Sequence, residues 1–214
     1  MYKLVRPDGY DFYSGTINYA DNVGKIIREA DFDAKEKGVC GKGLHASRNP
    51  NDCFINAKIP CRAFRVDGIQ KIAGDRYKSR YQALKIHEEI MDLDALFGWR
   101  YTEAANPLNP LSMPPPEIRQ EHIDCLIKWA SVRASVRDSV WASVGDSVWA
   151  SVWAYVGSMF PTITSWEYIK SSPGDYPYQP CMDLWKCGII PSFDGKSWRL
   201  HGGKNADILY VLTM

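Results

Sequence analysis

ASVRASVRDSVWASVGDSVWASVWAYVG, residues 130–157, is one near-identical four-residue phrase written seven times, with valine at 132, 136, 140, 144, 148, 152 and 156. Four residues advance an ideal helix by about 400°, so the valine stripe drifts by about 40° per repeat and winds right-handed around the cylinder. A strand would set Val and Ala or Asp against Ser and Trp, which suits β-branched and aromatic side chains. Yet 28 residues without proline exceed the usual strand several-fold. A four-residue β-solenoid, the remaining alternative, needs a tight corner at every repeat, and only Gly145 and Gly157 offer permissive angles. The expectation is therefore a long tetrapeptide-repeat helix. Val, Ser and Trp are mediocre helix formers, so such a helix is made by its contacts.

Trp129, Trp141, Trp149 and Trp153 share one position of the repeat frame with Arg133 and Arg137. The arginine end is expected to meet solvent. The aromatic end is expected to be buried, either inside its own fold or against sister chains. Trp141, Trp149, Trp153 and Val144 are accordingly the candidate assembly residues. The plainer alternative is a short phrase duplicated within a tolerant core helix, with no role beyond stacking.

Outward from the repeat, NPLNPLSMPPP at residues 106–116 removes backbone donors and favours extended chain, as a stiff linker or a surface strap does. The organisation expected is an N-terminal domain over 1–105, a Pro-rich linker over 106–118, a repeat helix over 119–160 and an aromatic, turn-rich tail over 161–214. In the first region, MYKLVR and YDFYSG flank Pro7-Asp8-Gly9 and predict a hairpin. GLHAS at 43–47 predicts a short strand, and Asn49-Pro50 predicts the cap and first turn of a helix over 51–58. FRV before Asp67-Gly68 reads as strand, and the spacing of Leu84 and Ile86 favours a strand over 79–90. In the tail, residues 197–201 and 206–212 are β-prone runs around Gly202-Gly203-Lys204-Asn205, a C-terminal β-hairpin, with another turn at 193–196. The class is α+β: a small mixed or antiparallel sheet domain, the repeat helix and the hairpin.

Composition bounds what such a chain does. Of 214 residues 45% are hydrophobic and 13% aromatic, enough for one substantial core or two small ones. Twenty-six basic residues nearly cancel 25 acidic ones, so no global field draws the protein to nucleic acid or to an anionic membrane. MYKLVRPDGY has no apolar signal core, and no stretch approaches the roughly 18 apolar residues of a spanning helix. A soluble protein with no membrane partner is expected, located in the cytoplasm. Cys40, Cys53, Cys61, Cys125, Cys181 and Cys187 form no CxxC pair and are expected as reduced thiols. Cys40, His45, Cys53 and Cys61 match no common zinc spacing, so no metal is expected.

Gly43-Leu44-His45-Ala46-Ser47, Asn49-Pro50 and Asp52, followed by FRVDGI and by the segment from Lys78 and Arg80 to Ile86-His87-Glu88-Glu89, resemble an uncharacterised domain of phage and bacterial proteins. There it is an N-terminal module ahead of variable short-repeat segments. The resemblance spans about the first hundred residues. It implies a phage or prophage context, hence the host cell cytoplasm, and it assigns no catalytic residue.

Three function classes follow. The preferred one is a noncatalytic interaction or assembly module that self-associates through the repeat and uses no cofactor. The second is an NAD-dependent ADP-ribosyltransferase, because Arg6, Ser47 and Glu88 or Glu89 follow the Arg, Ser, Glu order of those enzymes. Arg and Ser would hold the NAD phosphates and ribose while Glu stabilises the developing oxocarbenium charge. The chain has His45-Ala46-Ser47 in place of their Ser-Thr-Ser, and adjacent glutamates on a strand point to opposite faces. His45, and His87 beside two carboxylates, are further candidate general bases. The third is a nucleic-acid binder, with Arg76, Lys78, Arg80 and Tyr81 beside Tyr77 as a basic run interleaved with rings. Gly202-Gly203-Lys204 lacks a following helix and is a turn rather than a phosphate cradle.

Overall fold

The computed structural model describes residues 1–33, 38, 40–137, 144–166, 169 and 174–213, with the backbone alone for 134–137 and 144–148. The chain forms two compact units, Met1–Ala105 and Asn106–Met214. The whole is α+β with antiparallel sheets.

In the N-terminal unit the strands are β1 (Tyr2–Val5), β2 (Ile26–Arg28), β3 (Leu44–Ala46), β4 (Arg62–Gly74) and β5 (Ser79–Ile90), followed by short helices α1 (Leu93–Phe97) and α2 (Tyr101–Ala105). The order is β1-β4-β5-β2, with β3 also on β5. β4 and β5 form a long hairpin with register shifts at Arg65/Val66 and Lys71/Ala73, and such bulges bend a ladder. The bend brings the ends of the path together. Tyr2 and Ser47 exchange backbone hydrogen bonds of 2.8 and 3.0 Å, so β1, β4, β5 and β3 close into a ring. Val5, Tyr19, Leu44, Phe64, Val66, Leu84 and Ile86 form the core inside it. Leu4, Ala63, Phe97 and Tyr101 form a second core on the other face, as alternation along β1 requires.

One side-chain contact within the hairpin is very close. A Cβ at Gly68 would stand 2.2 Å from the Tyr81 ring, so the ring packs directly against the glycine. In the second core the Tyr101 hydroxyl accepts the Cys61 amide at 2.6 Å and donates to the Cys61 carbonyl at 2.9 Å. Burial pushes this phenol up to about 12.

The strand spacings around residues 44 and 84 are realised in β3 and β5, and the helix signal at Asn49-Pro50 becomes a short 3-10 helix, Pro50–Ile55, capped by Asn49. The expected first hairpin does not form. Arg6 and Gly9 make the turn, with Arg6 N–H donating to the Tyr10 carbonyl. Beyond it, however, the Asp11 carboxylate captures the amides of Tyr13, Ser14, Thr16 and Ile17 and the Ser14 hydroxyl. Amides held by a side chain cannot join a ladder, and β1 pairs with β4 instead.

The C-terminal unit holds α3 (Gln120–Arg137), α4 (Val144–Ser158), α5 (Gln179–Lys186) and strands β6 (Ile189–Phe193), β7 (Ser197–Gly202) and β8 (Asp207–Thr213). The expected hairpin is thus two strands of a three-stranded antiparallel sheet in the order β6-β7-β8. A single long repeat helix is not evident. The repeat is helical to Arg137 and again from Val144, and residues 138–143, with Trp141 among them, lie outside the described residues. α3 and α4 both pack on α5, and α4 also packs on β6, the tertiary contacts that such mediocre helix formers need.

The Pro-rich strap is part of this unit. Leu108 N–H donates to the Tyr155 hydroxyl at 2.7 Å, and Trp185 Nε1 donates to the Leu108 carbonyl at 3.1 Å. The Tyr155 and Trp185 rings stack with centroids 5.4 Å apart. Pro115 lies against Gly202 and Gly203.

Gly68→Ala is expected to cost about 1–3 kcal/mol by forcing the Tyr81 ring out of place. In a Tyr81→Leu background the same change should cost clearly less. Urea unfolding of the four proteins of this cycle checks both expectations.

Candidate functional site

Each unit carries one surface feature that stands out chemically. In the N-terminal unit it is a recess of about 630 Å³. Its walls come from β1, from the loop that Asp11 organises, from residues 40–47 including β3, and from the 3-10 helix after Asn49. Leu4, Phe12, Ile17, Leu44 and Ile55 supply apolar wall, while Lys3, Lys42 and Lys78 face Asp11, Glu29, Asp31 and Asp52 across it.

Several of these charges are already matched. Lys42 is ion-paired with Asp31. Asp11, only 5% exposed, accepts five hydrogen bonds within its own loop, from 2.6 to 3.3 Å. Burial works to raise the Asp11 carboxyl, but the Ser14 hydroxyl and amide, the Ile17 amide and the field of Lys3 together take it below its ordinary value. The Lys3 ammonium has no such partner. Lys3 shares the inward face of β1 with Val5, its Nζ lies 5.3 Å from the centre of the Tyr19 ring, and burial pulls its ammonium below the usual value against the opposing field of Asp11.

The recess holds Ser47 of the transferase set and the candidate general base His45, and neither Arg6, Glu88 nor Glu89 lines it. Arg6 is ion-paired with Asp8 at the turn after β1. Glu89 is held by Arg62 through bonds of 2.7 and 2.6 Å, and Glu88 by Arg65 at 2.8 Å. Adjacent glutamates on β5 leave opposite faces, and each meets an arginine of β4, so these carboxylates serve as cross-strand ion pairs. His87 likewise pairs with Asp67 at 2.8 Å. Ser47 is buried, with its side chain beside the thiol of Cys53, which donates to the Tyr2 carbonyl at 3.5 Å. Burial pushes that thiol up, away from the thiolate that nucleophilic catalysis needs.

The basic run is divided in the same way. Asp75 accepts the amides of Tyr77 and Lys78 and makes a turn there, Arg76 lies over its neighbour Tyr77 with 5.1 Å to the ring centre, and Lys78 faces the recess. Arg80 is 0% exposed and Tyr81 is buried in the core. The Arg80 guanidinium lies 3.8 Å from Asp33 and donates to the Lys42 carbonyl at 3.3 Å. Gly41 and Gly43 make room for it, since a Cβ at either would strike its side chain. The run therefore presents no stacking array; half of it anchors the loop that walls the recess.

In the C-terminal unit the feature is one face of α4. Ser151, Ala154, Tyr155 and Met159 are buried against the unit's core, so the inward stripe is the serine position of the repeat frame and not the valine position. The expectation of buried tryptophans holds for Trp129, which is 1% exposed, but Trp149 and Trp153 are 62% and 68% exposed. With the partly exposed Val156 they follow an i, i+4, i+7 spacing along one face. Their frame position is closed at Gly157, where a Cβ would stand 2.7 Å from the Tyr176 hydroxyl. The side chain of Val144 lies outside the described residues.

Sequence reasoning missed Lys3 and Asp11. The signal for Lys3 was present in YKLV, where a lysine two residues before a core valine shares its face. Among the described residues, no group of three or more His, Cys, Asp or Glu is arranged to hold a metal ion, and no helix is long and apolar enough to cross a membrane. Comparison with protein-family models, with curated proteins and with solved structures gives no match to this chain.

Because the folded Asp11 carboxyl lies below its unfolded value of about 3.9, its stabilisation is present above that pH and is lost as pH falls through the lower folded value. Asp11→Asn should therefore be less stable than wild type at neutral pH. The gap between the two should close in acid. Thermal melts of both proteins across an acid pH series check this.

Proposed function

We propose that this chain is a noncatalytic interaction and assembly module of phage or prophage type, and that two copies associate through the face of α4 carrying Trp149, Trp153 and Val156. The observation that carries the reading is the exposure of these two tryptophans on a helix whose other face is already packed. Large rings left in water are a costly surface for a monomer to keep, and contiguous apolar exposure marks interaction sites.

The occupant that fits best is a second copy of the chain. α4 contains one charged residue, Asp146, so the face offers no field for a strongly charged partner. A two-fold interface presents the same patch from both sides, and a stripe of Trp, Trp and Val is apolar enough to meet itself. Symmetry doubles the rings removed from water, a gain of several kcal/mol at about 25 cal/mol per Å². The repeat supports this reading too: added or lost repeats would lengthen or shorten the stripe without new chemistry. The phage context rests on the GLHAS resemblance alone.

Light scattering on a dilution series tests the proposal. The wild-type chain is expected above its monomer mass of 24.3 kDa, falling towards it on dilution. Trp149→Glu/Trp153→Glu is expected at the monomer mass throughout, with a thermal melt close to wild type because both positions are exposed. A wild-type chain that stays monomeric at every concentration contradicts the reading.

A further inference from the structure

We infer that the N-terminal recess binds a small organic anion, a carboxylate or phosphate on an apolar or aromatic body, with Lys3 as the group that holds its charge. This inference is independent of the assembly proposal, since it concerns the other unit and other residues.

Lys3 is a costly residue where it stands. It stands on the inward face of β1, two residues from the fully buried Val5 and opposite Phe64 in the ladder. An ammonium surrounded by protein loses its hydration, and such charges are normally paired. Lys3 keeps part of its surface accessible, as a group on the floor of a recess does. Among the described residues its ammonium has no hydrogen bond and no ion pair; its one partner is the face of the Tyr19 ring. Asp11 supplies the nearest opposing field, but its oxygens are already engaged by five donors. A leucine or methionine at position 3 would close the face at lower cost, so the lysine makes physical sense when an anion completes it.

The walls define the rest of the ligand. The recess is within the range that accommodates a ligand of drug or nucleotide size. Leu4, Phe12, Ile17, Leu44 and Ile55 offer apolar contact to an organic body. Asp11, Glu29, Asp31 and Asp52 line the same space, and a long polyanion would meet them as like charge. A single anionic group at Lys3 avoids that conflict. Parts of the wall are already held in place, because Arg80 is fastened to Asp33 and to the Lys42 carbonyl and Asp11 fastens the loop amides up to Ile17. Little ordering therefore remains to oppose binding.

The experiment uses the full chain with naphthoate and naphthyl phosphate as probes and naphthylmethanol as the neutral counterpart, all at one ionic strength, read by titration calorimetry. At least one anion is expected to bind more tightly than the neutral compound, and the better anion tells a carboxylate ligand from a phosphate one. In Lys3→Met that anion should bind about tenfold more weakly or worse, while naphthylmethanol binding stays as in wild type. Lys3→Gln carries the same expectation and serves if the methionine variant does not fold. The inference is overturned if neither anion outbinds naphthylmethanol, or if a folded Lys3 variant binds the anion as tightly as wild type.

Discussion

The pair of backbone hydrogen bonds between Tyr2 and Ser47 is the constraint on which the N-terminal unit depends. Without it β1 and β3 are two edges of a bent sheet, each with unsatisfied backbone groups. With it the sheet surrounds its core, and the end of β1 is fixed beside the 3-10 helix after Asn49. Lys3 follows the residue that makes the closure, so the same bonds that seal the sheet place an ammonium on the floor of the recess. The two bulges in the β4–β5 hairpin supply curvature that closure needs, and Tyr81 packs directly on Gly68 within it.

Sequence patterns were informative where one local rule acted alone. Residues 79–90 became a strand because Leu84 and Ile86 had a core face to fill, and the Gly202-Gly203 turn formed because nothing competed with it. The reading failed where a side chain outcompeted the backbone. Asp11 drew four amides out of a predicted strand, and a carboxylate spaced two to six residues from its donors leaves no periodic trace. α5 was missed although Pro180 stands in its first turn; eight residues are too few for helical periodicity to emerge from an aromatic, turn-rich background.

Charge was the least legible property. Arg80 and Tyr81 look like a nucleic-acid surface when written next to Arg76 and Lys78, yet β5 turns both into the structure, and the two glycines at 41 and 43 leave the space that the arginine fills. Glu88 and Glu89 look like a catalytic pair and are cross-strand partners of Arg65 and Arg62. The glutamate pair is divided by the alternation of a strand, and the basic run by the boundary between the Asp75 turn and β5. The repeat shows the converse effect on a helix: its least conspicuous residue, serine, faces inward at Ser151, because a small side chain permits close approach to β6, where its hydroxyl reaches the Pro191 carbonyl at 3.4 Å. The conspicuous tryptophans are thereby turned outward, where they give the assembly proposal its basis.

Closure of the ring is the claim that carries the recess and its lysine, and amide hydrogen exchange resolved by residue tests it most directly. Tyr2 and Ser47 amides are predicted to exchange as slowly as those of Phe64 and Leu84 in the centre of the sheet, long after the turn amides around Lys204 have exchanged. Exchange of Tyr2 and Ser47 on the timescale of that turn would mean the sheet is open at this seam and would contradict the account.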